Sequence, residues 1–271
     1  MNEIKYKKPL SIEEQVDYLE KNKHVVYNEC SKDKAMQYLY CHNYINVISP
    51  FKENFARHDE NNNIVRDENG NHIYDFPVDF SQYQNLYTLE RIKYPTIYTN
   101  IMNFETAFNA IVSNEVIKSY NIDSYSSFLS FISNLKENLL NLKNYQLYKD
   151  LAINHMSSEI NQFIDLMDKY NSIYIFMDRL SLSQIITVYR CVNIDIHNSI
   201  FSSLLSNDLT FNYSSPGTFD DFLKRIVPIR NCIAHYNSIN ILIDYYDIKN
   251  KAHRSIADKK RYKKIIAKLC D

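Results

Sequence analysis

Residues 96–112 read TIYTNIMNFETAFNAIV, and the placing of their apolar side chains decides the fold class. Ile97, Ile101, Phe104, Phe108, Ile111 and Val112 recur at the spacing of one face of an α-helix, whereas a strand would alternate in twos. Pro95 stands at the head of the run, where a ring without an N–H starts or kinks a helix. The pattern returns in Phe128, Phe131, Ile132, Leu135, Leu139 and Leu142, then in Ile160, Phe163, Ile164 and Met167, and again in Leu182, Ile185, Ile186 and Tyr189. Each stripe reads as a core face. Helices that each carry one such stripe bury it by packing on one another, so the expected fold is an all-α bundle.

The sequence on either side agrees. Only 2 of 271 residues are glycine, which leaves few tight hairpin turns. Ser11-Ile12-Glu13-Glu14 is a capping box and predicts a first helix from Ser11; a second is expected from Lys32 through Tyr44. Residues 57–75, RHDENNNIVRDENGNHIYD, are polar and read as a surface hairpin or long loop that holds neither Arg66 nor His72 rigidly. Asp67, Asn69 and Asn71 mimic the start of a calcium loop, but the glycine and the closing glutamate are misplaced, so no calcium site is expected. Thr218 with Asp221 predicts a helix start, and Pro228 is expected to break or restart that helix. Arg230 then falls in a first turn, where free N–H groups and the helix dipole attract phosphate. The expected organisation is an N-terminal helical segment (1–56), a polar insertion (57–80) and a helical bundle with a basic last helix (81–271).

Composition excludes several classes. With 45% hydrophobic and 23% charged residues the chain is an ordinary globular protein rather than a disordered one. Cys30, Cys41, Cys191, Cys232 and Cys270 are odd in number and nowhere form CxxC, so neither a disulfide framework nor a zinc site is suggested, and no metal or cofactor is expected. MNEIKYKKPL lacks the apolar core of a signal peptide, and no stretch approaches the roughly 18 apolar residues of a membrane span. A cytoplasmic location without a membrane partner follows as the expectation. Net charge is −1, yet nine Lys and Arg face two Asp between Lys249 and Asp271. In that tail Tyr262, Ile265, Ile266 and Leu269 share one face, while Lys259, Lys260, Arg261, Lys263 and Lys264 surround it. This is a docked helix with a basic rim, equally suited to binding an RNA backbone.

Three arginines are followed by a histidine five to seven residues on: Arg66 with His72, Arg190 with His197, and Arg230 with His235. Composition alone yields about 0.8 such pairs by accident, so spacing decides nothing. The first pair lies in the polar loop. For the second, with its helix fading at Val192-Asn193, ordinary surface or capping roles are expected. The third flanks Cys232, Ile233 and Ala234, which can pack and hold both polar side chains. Five residues on a helix turn through about 140°, so Arg230 and His235 suit the two sides of a cleft. An arginine offers a permanent forked charge to a phosphate, and a histidine a proton donor or acceptor near neutral pH. A purely structural pair, one arginine at a helix end and one hydrogen-bonded core histidine, fits the same residues.

RNCIAHYN, residues 230–237, resembles the RNxxAH signature of HEPN-domain ribonucleases, and more narrowly that of the Abi-like abortive-infection proteins of bacteria (the AbiD/AbiF type). Collinear segments agree: KPLSIEEQVDYLEKN with the family's opening helix, YLYCHNYINVISPF with its NYYR segment, VDFSQYQNLYTLER and NFETAF with its middle helices, and IYIFMDRLSLSQIITVY with the helix pair before the motif. The chain departs from the pattern at Asn43-Tyr44-Ile45-Asn46, where relatives have NYYR, and at Asn109, where an arginine is usual.

The resemblance implies a HEPN-type all-α bundle, usually a homodimer, in which two RNxxxH motifs meet to form one metal-independent endoribonuclease site. It implies a phage-defence or toxin–antitoxin setting, with RNA as substrate and a small structured RNA or an antitoxin as further partners. On that reading His235 is the general acid or base, Arg230 stabilises charge on the phosphoryl oxygens, and Asn231 orients them. The competing expectation is a non-catalytic HEPN-like module that binds RNA or protein and uses Arg230 and His235 structurally.

Overall fold

The computed structural model describes residues 9–142, 173–244, 246–247 and 252–270. The chain is all-α, with two short strand pairs among the described residues. The stripe of Ile160, Phe163, Ile164 and Met167 lies outside the described residues. Two units are formed, Met1–Ile97 with Asn231–Ile266 and Cys270, and Tyr98–Arg230 with Ala267–Leu269 and Asp271.

In the first unit, α1 (Ile12–Lys23) starts as its sequence requires. The Glu14 carboxylate accepts the Ser11 N–H at 2.7 Å, and the Ser11 hydroxyl accepts the Glu14 N–H. His24 then turns left-handed (φ 51) into β1 (Val25–Val26), which pairs in parallel with β2 (Val78–Asp79). Helix α2 (Lys32–His42) stops short of Tyr44 because Asn43 takes φ 65 and caps the next short helix, α3 (Tyr44–Val47), through its side-chain oxygen. The Asp79 carboxylate accepts N–H groups of Asn28, Glu29 and Ser81 at 2.7–3.0 Å, so one side chain both starts α4 (Phe80–Ile92) and ties down the loop after β1. Val16, Leu19, Val25, Leu39, Phe80 and Tyr83 are the centre of the core.

The polar insertion is more regular than its composition predicts. Asp-Glu-Asn-x-Asn occurs twice, at 59–63 and 67–71, and both copies make the same turn. Asp59 accepts the N–H groups of Asn61 and Asn63 and the Asn63 amide, with Asn62 at φ 63; Asp67 does the same with Asn69 and Asn71, with Gly70 at φ 78. Between the turns the backbone closes a ring, Arg57 N–H to Ile73 O, Ile73 N–H to Val65 O and Val65 N–H to Arg57 O. The hairpin alternative is the one the chain adopts, but Arg66 and His72 are held opposite each other in an antiparallel bridge with the His72 side chain buried, against the expectation that neither is held rigidly. Alternation and turn residues spaced eight apart carried that signal in the sequence. The carboxylate of Asp67 is already used by its own turn.

The second unit holds most of α5 (Tyr94–Ser119), α6 (Tyr125–Leu142), α7 (Ile173–Asp178), α8 (Leu182–Cys191), α9 (Ile194–Ser206) and most of α10 (Pro216–Ala234). Pro95 sits in the first turn of α5, where its missing N–H costs nothing. In the stripe of residues 97–112, Ile97, Ile101, Phe104, Phe108 and Val112 are at most 1% exposed, while Ile111 is only partly buried. Phe104 packs on Phe108 and Phe222, and Phe108 edge-on against Tyr189 at 5.5 Å, so α5, α8 and α10 meet in one aromatic core. After α11 (Ile239–Ile243) and the antiparallel pair β3 (Tyr246–Asp247) and β4 (Ala252–His253) comes α12 (Ile256–Cys270), which buries Tyr262, Ile265 and Leu269 of its expected apolar face and leaves Ile266 partly buried.

Candidate active site

Helix α10 runs unbroken through Pro228, against the expected break. Phe219, Phe222, Leu223, Ile226, Ile229 and Ile233 are all buried, so the apolar stripe continues on both sides of the proline. That packing outweighs the roughly 3 kcal/mol cost of a proline in a helix interior. The helix also starts earlier than expected, at Pro216 behind Ser215 rather than at Thr218, and Asp221 instead pairs with Arg225 at 2.6 Å. Arg230 consequently lies in the last turns of α10. The carbonyl end of the helix gives no pull on a phosphate, so any anion binding there falls to the arginine side chain itself.

The motif closes the helix. The helix ends at Ala234, His235 follows as its C-cap, and Tyr236 turns left-handed at φ 54. The Tyr236 N–H reaches Ile233 O and the Asn237 N–H reaches Cys232 O, both at 2.9 Å, the two bonds of a Schellman cap. A tyrosine in this conformation costs on the order of 1–2 kcal/mol, where glycine costs nothing.

Side chains from α4 and the start of α5 compensate. Glu90 accepts from Ser238 Oγ at 2.8 Å and from the Asn240 N–H at 3.0 Å, serving as the N-terminal cap that Ser238 does not itself supply to α11. Arg91 lies 3.3 Å from Glu90, donates to Tyr236 O at 2.9 Å, and stacks 3.3 Å above the Tyr87 ring. Tyr94 donates to Asn237 O at 2.7 Å and accepts the Ile239 N–H. Cys232 faces Asn237 O, and burial, followed by the charge of Glu90, pushes its thiol up to about 12. The turn after His235 is therefore fixed at several points.

Arg230 is partly buried, with Nε 3.7 Å from Glu105 of α5. Asn231 and His235, four residues apart on one side of the helix, are exposed. The fixed backbone thus presents a polar pair to solvent, the opposite of a core histidine.

The other arginine–histidine pairs do not form such a site. Helix α8 ends at Cys191 as expected, putting Arg190 and His197 on different helices. Neither is a surface residue: Arg190 donates to Asp220 at 2.6 Å with its side chain 9% exposed, and His197 stacks on Tyr189 at 4.2 Å, where burial lowers its pKa. Asp220, in the first turns of α10, is the partner that spacing could not reveal. On α12, Lys260, Arg261, Lys263 and Lys264 are exposed, while Lys259 pairs with Asp244 at 2.5 Å. Asn109 donates to Met177 O and accepts from Ser113, a link between α5 and α7.

Residues 37–240 match the model of the Abi-like protein family. The chain belongs to that family. No curated protein and no solved structure matches it. Membership points to abortive infection, a phage-defence role. The match spans Glu90, Arg91, Tyr94 and Glu105, which hold the motif of this Abi-like protein, and sequence reading had missed them: Glu90 and Arg91 end the VDFSQYQNLYTLER segment, Tyr94 follows it, and Glu105 lies in NFETAF. The signal was present, since segments far apart in sequence that share one family pattern tend to share one site. Among the described residues no helix is long and apolar enough to cross a membrane.

Proposed function

We propose that this chain is a metal-independent endoribonuclease of phage defence, by abortive infection or within a toxin–antitoxin pair, and that two copies pair to complete one site. The observation that carries the reading is the exposed Asn231 and His235 on a backbone locked by the Schellman cap and by Glu90, Arg91 and Tyr94. Precise presentation of catalytic groups on a rigid element is what such chemistry requires. Leu89, Ile92 and Tyr236 are 59–66% exposed beside this clamp, an apolar surface suited to a second copy.

The RNA supplies the nucleophile. Its 2′-hydroxyl attacks the adjacent phosphorus while the bond to the 5′-oxygen breaks, leaving a 2′,3′-cyclic phosphate and a 5′-hydroxyl. One His235 takes the 2′ proton, and the His235 of the second copy gives one to the departing 5′-oxygen. Arg230 stabilises charge on the phosphoryl oxygens, and Asn231 hydrogen-bonds the same group. The exposed lysines of α12 and Arg261 hold the RNA backbone.

The test is incubation of the protein with end-labelled RNA in EDTA, with mapping of the product ends and a His235→Ala comparison. Cyclic-phosphate ends are expected, with DNA inert and cleavage lost in His235→Ala at an unchanged melting temperature, because an exposed side chain contributes little packing. Bound but intact RNA overturns this in favour of a non-catalytic binding module, and full cleavage by His235→Ala overturns the assignment of His235 as the acid and base.

A further inference from the structure

A cleft of about 690 Å³ opens in the first unit, among α1, the start of α3 and the second of the two repeated turns of the insertion, well apart in sequence from the RNxxxH motif. Pockets of about 300–1,000 Å³ hold small organic ligands rather than single ions. Its wall carries Lys23, Lys52 and Arg66, the imidazole of His72, and the rings of Tyr18 and Tyr74. Among the described residues lining it, Asp67 is the only acid, and its carboxylate is occupied by three donors of its own turn.

The charge is unusually uncompensated. Lys23 is 9% exposed, yet its ammonium makes no ion pair among the described residues; it donates to Tyr74 Oη at 2.9 Å and lies 4.9 Å and 6.0 Å from the centres of the Tyr74 and Tyr18 rings. Lys23 is pushed down to about 8 by burial and then by Lys52, and His72 down to about 4 by burial and then by Arg66, Lys52 and Lys23. Glu53 comes no closer to His72 than 3.9 Å. A buried cation without a counter-ion is costly, and the folded chain retains one beside two others. An incoming anion relieves that cost. Arg66 is aimed by a bond to Gly70 O at 3.0 Å, so the glycine turn of the second repeat sets one wall of the cleft.

We propose that this cleft binds a nucleotide, with Lys23, Lys52 and Arg66 receiving its phosphate and Tyr18 stacking on its base. Basic groups interleaved with aromatic rings are the chemistry that holds single nucleotides and single strands. The bound group is either a free mononucleotide or the 5′-phosphorylated end of a strand. Neither depends on RNA cleavage, so the site and the proposed nuclease stand or fall separately.

Isothermal titration of the full chain tests it, with a 5′-mononucleotide set, the matching nucleosides, inorganic phosphate, and short single-stranded DNA carrying a 5′-phosphate or a 5′-hydroxyl. DNA is chosen because it lacks the 2′-hydroxyl and remains intact even if the chain cuts RNA. Saturable mononucleotide binding is expected, at least tenfold tighter than either the nucleoside or inorganic phosphate. A further tenfold gain with 5′-phosphorylated DNA over the mononucleotide assigns a strand end; equal affinity assigns a free nucleotide. Arg66→Gln with Lys52→Gln, neither in the core, should weaken binding at least tenfold with the melting temperature unchanged, and Lys23→Met should do the same if it folds. The proposal is overturned if no phosphate-bearing probe saturates, if inorganic phosphate binds as tightly as the nucleotide, or if the double variant binds normally.

Discussion

Glu90→Ala should loosen the turn that follows His235. The side chain of Glu90 is only 10% exposed and accepts two hydrogen bonds, from the fully buried Ser238 hydroxyl and from the Asn240 N–H. Hydrogen bonds to a charged group are worth about 1.5–3 kcal/mol each when the partner is left unmet. Water can reach the partly exposed Asn240 in the variant but not Ser238, so the combined loss is about 3 kcal/mol rather than the sum of both maxima. That is on the order of a hundredfold in a local opening equilibrium. Arg91 keeps its bond to Tyr236 O and its stacking on Tyr87, so the opening should be confined to the start of α11 and the cap of α10. Amide hydrogen exchange of Asn240, Asn237 and Tyr236 reads it directly, alongside urea unfolding. Glu90→Gln retains an acceptor and should lose about half as much. Exchange at Asn240 within threefold of the parent, with less than about 1 kcal/mol lost in urea, would refute the assignment of Glu90 as the cap.

Two further outcomes follow from the same region. Tyr236→Gly removes the left-handed penalty and should raise stability by about 1 kcal/mol in urea unfolding, less any contact with Tyr94 at 6.3 Å; a loss of more than about 1 kcal/mol would show that the ring, not the backbone, is what the position needs. In native protein a thiol reagent at pH 8 should modify the exposed Cys41 rapidly and Cys232 only on unfolding, since burial holds Cys232 as the unreactive thiol; equal rates by mass spectrometry would contradict the buried environment.

Much of this protein is fixed locally and was readable as such. The helical period from Ile97 to Val112, the capping box at Ser11 and the apolar face of α12 depend on neighbours three or four residues away, so the sequence alone determined an all-α chain and most of its core. The RNxxxH motif and the segments collinear with the family were equally plain. Pro228 shows where local reasoning stops: its missing N–H is a fixed cost, but whether a helix survives it depends on the packing of Phe222, Ile226, Ile229 and Ile233. Only the tertiary structure decided that Arg230 and His235 lie at a helix end, that Glu105 pairs with one of them, and that Glu90, Arg91 and Tyr94 grip the turn beyond the other. Those partners stand more than a hundred residues earlier in the chain, and no short-range rule of propensity or spacing contains a contact that chain folding alone brings together.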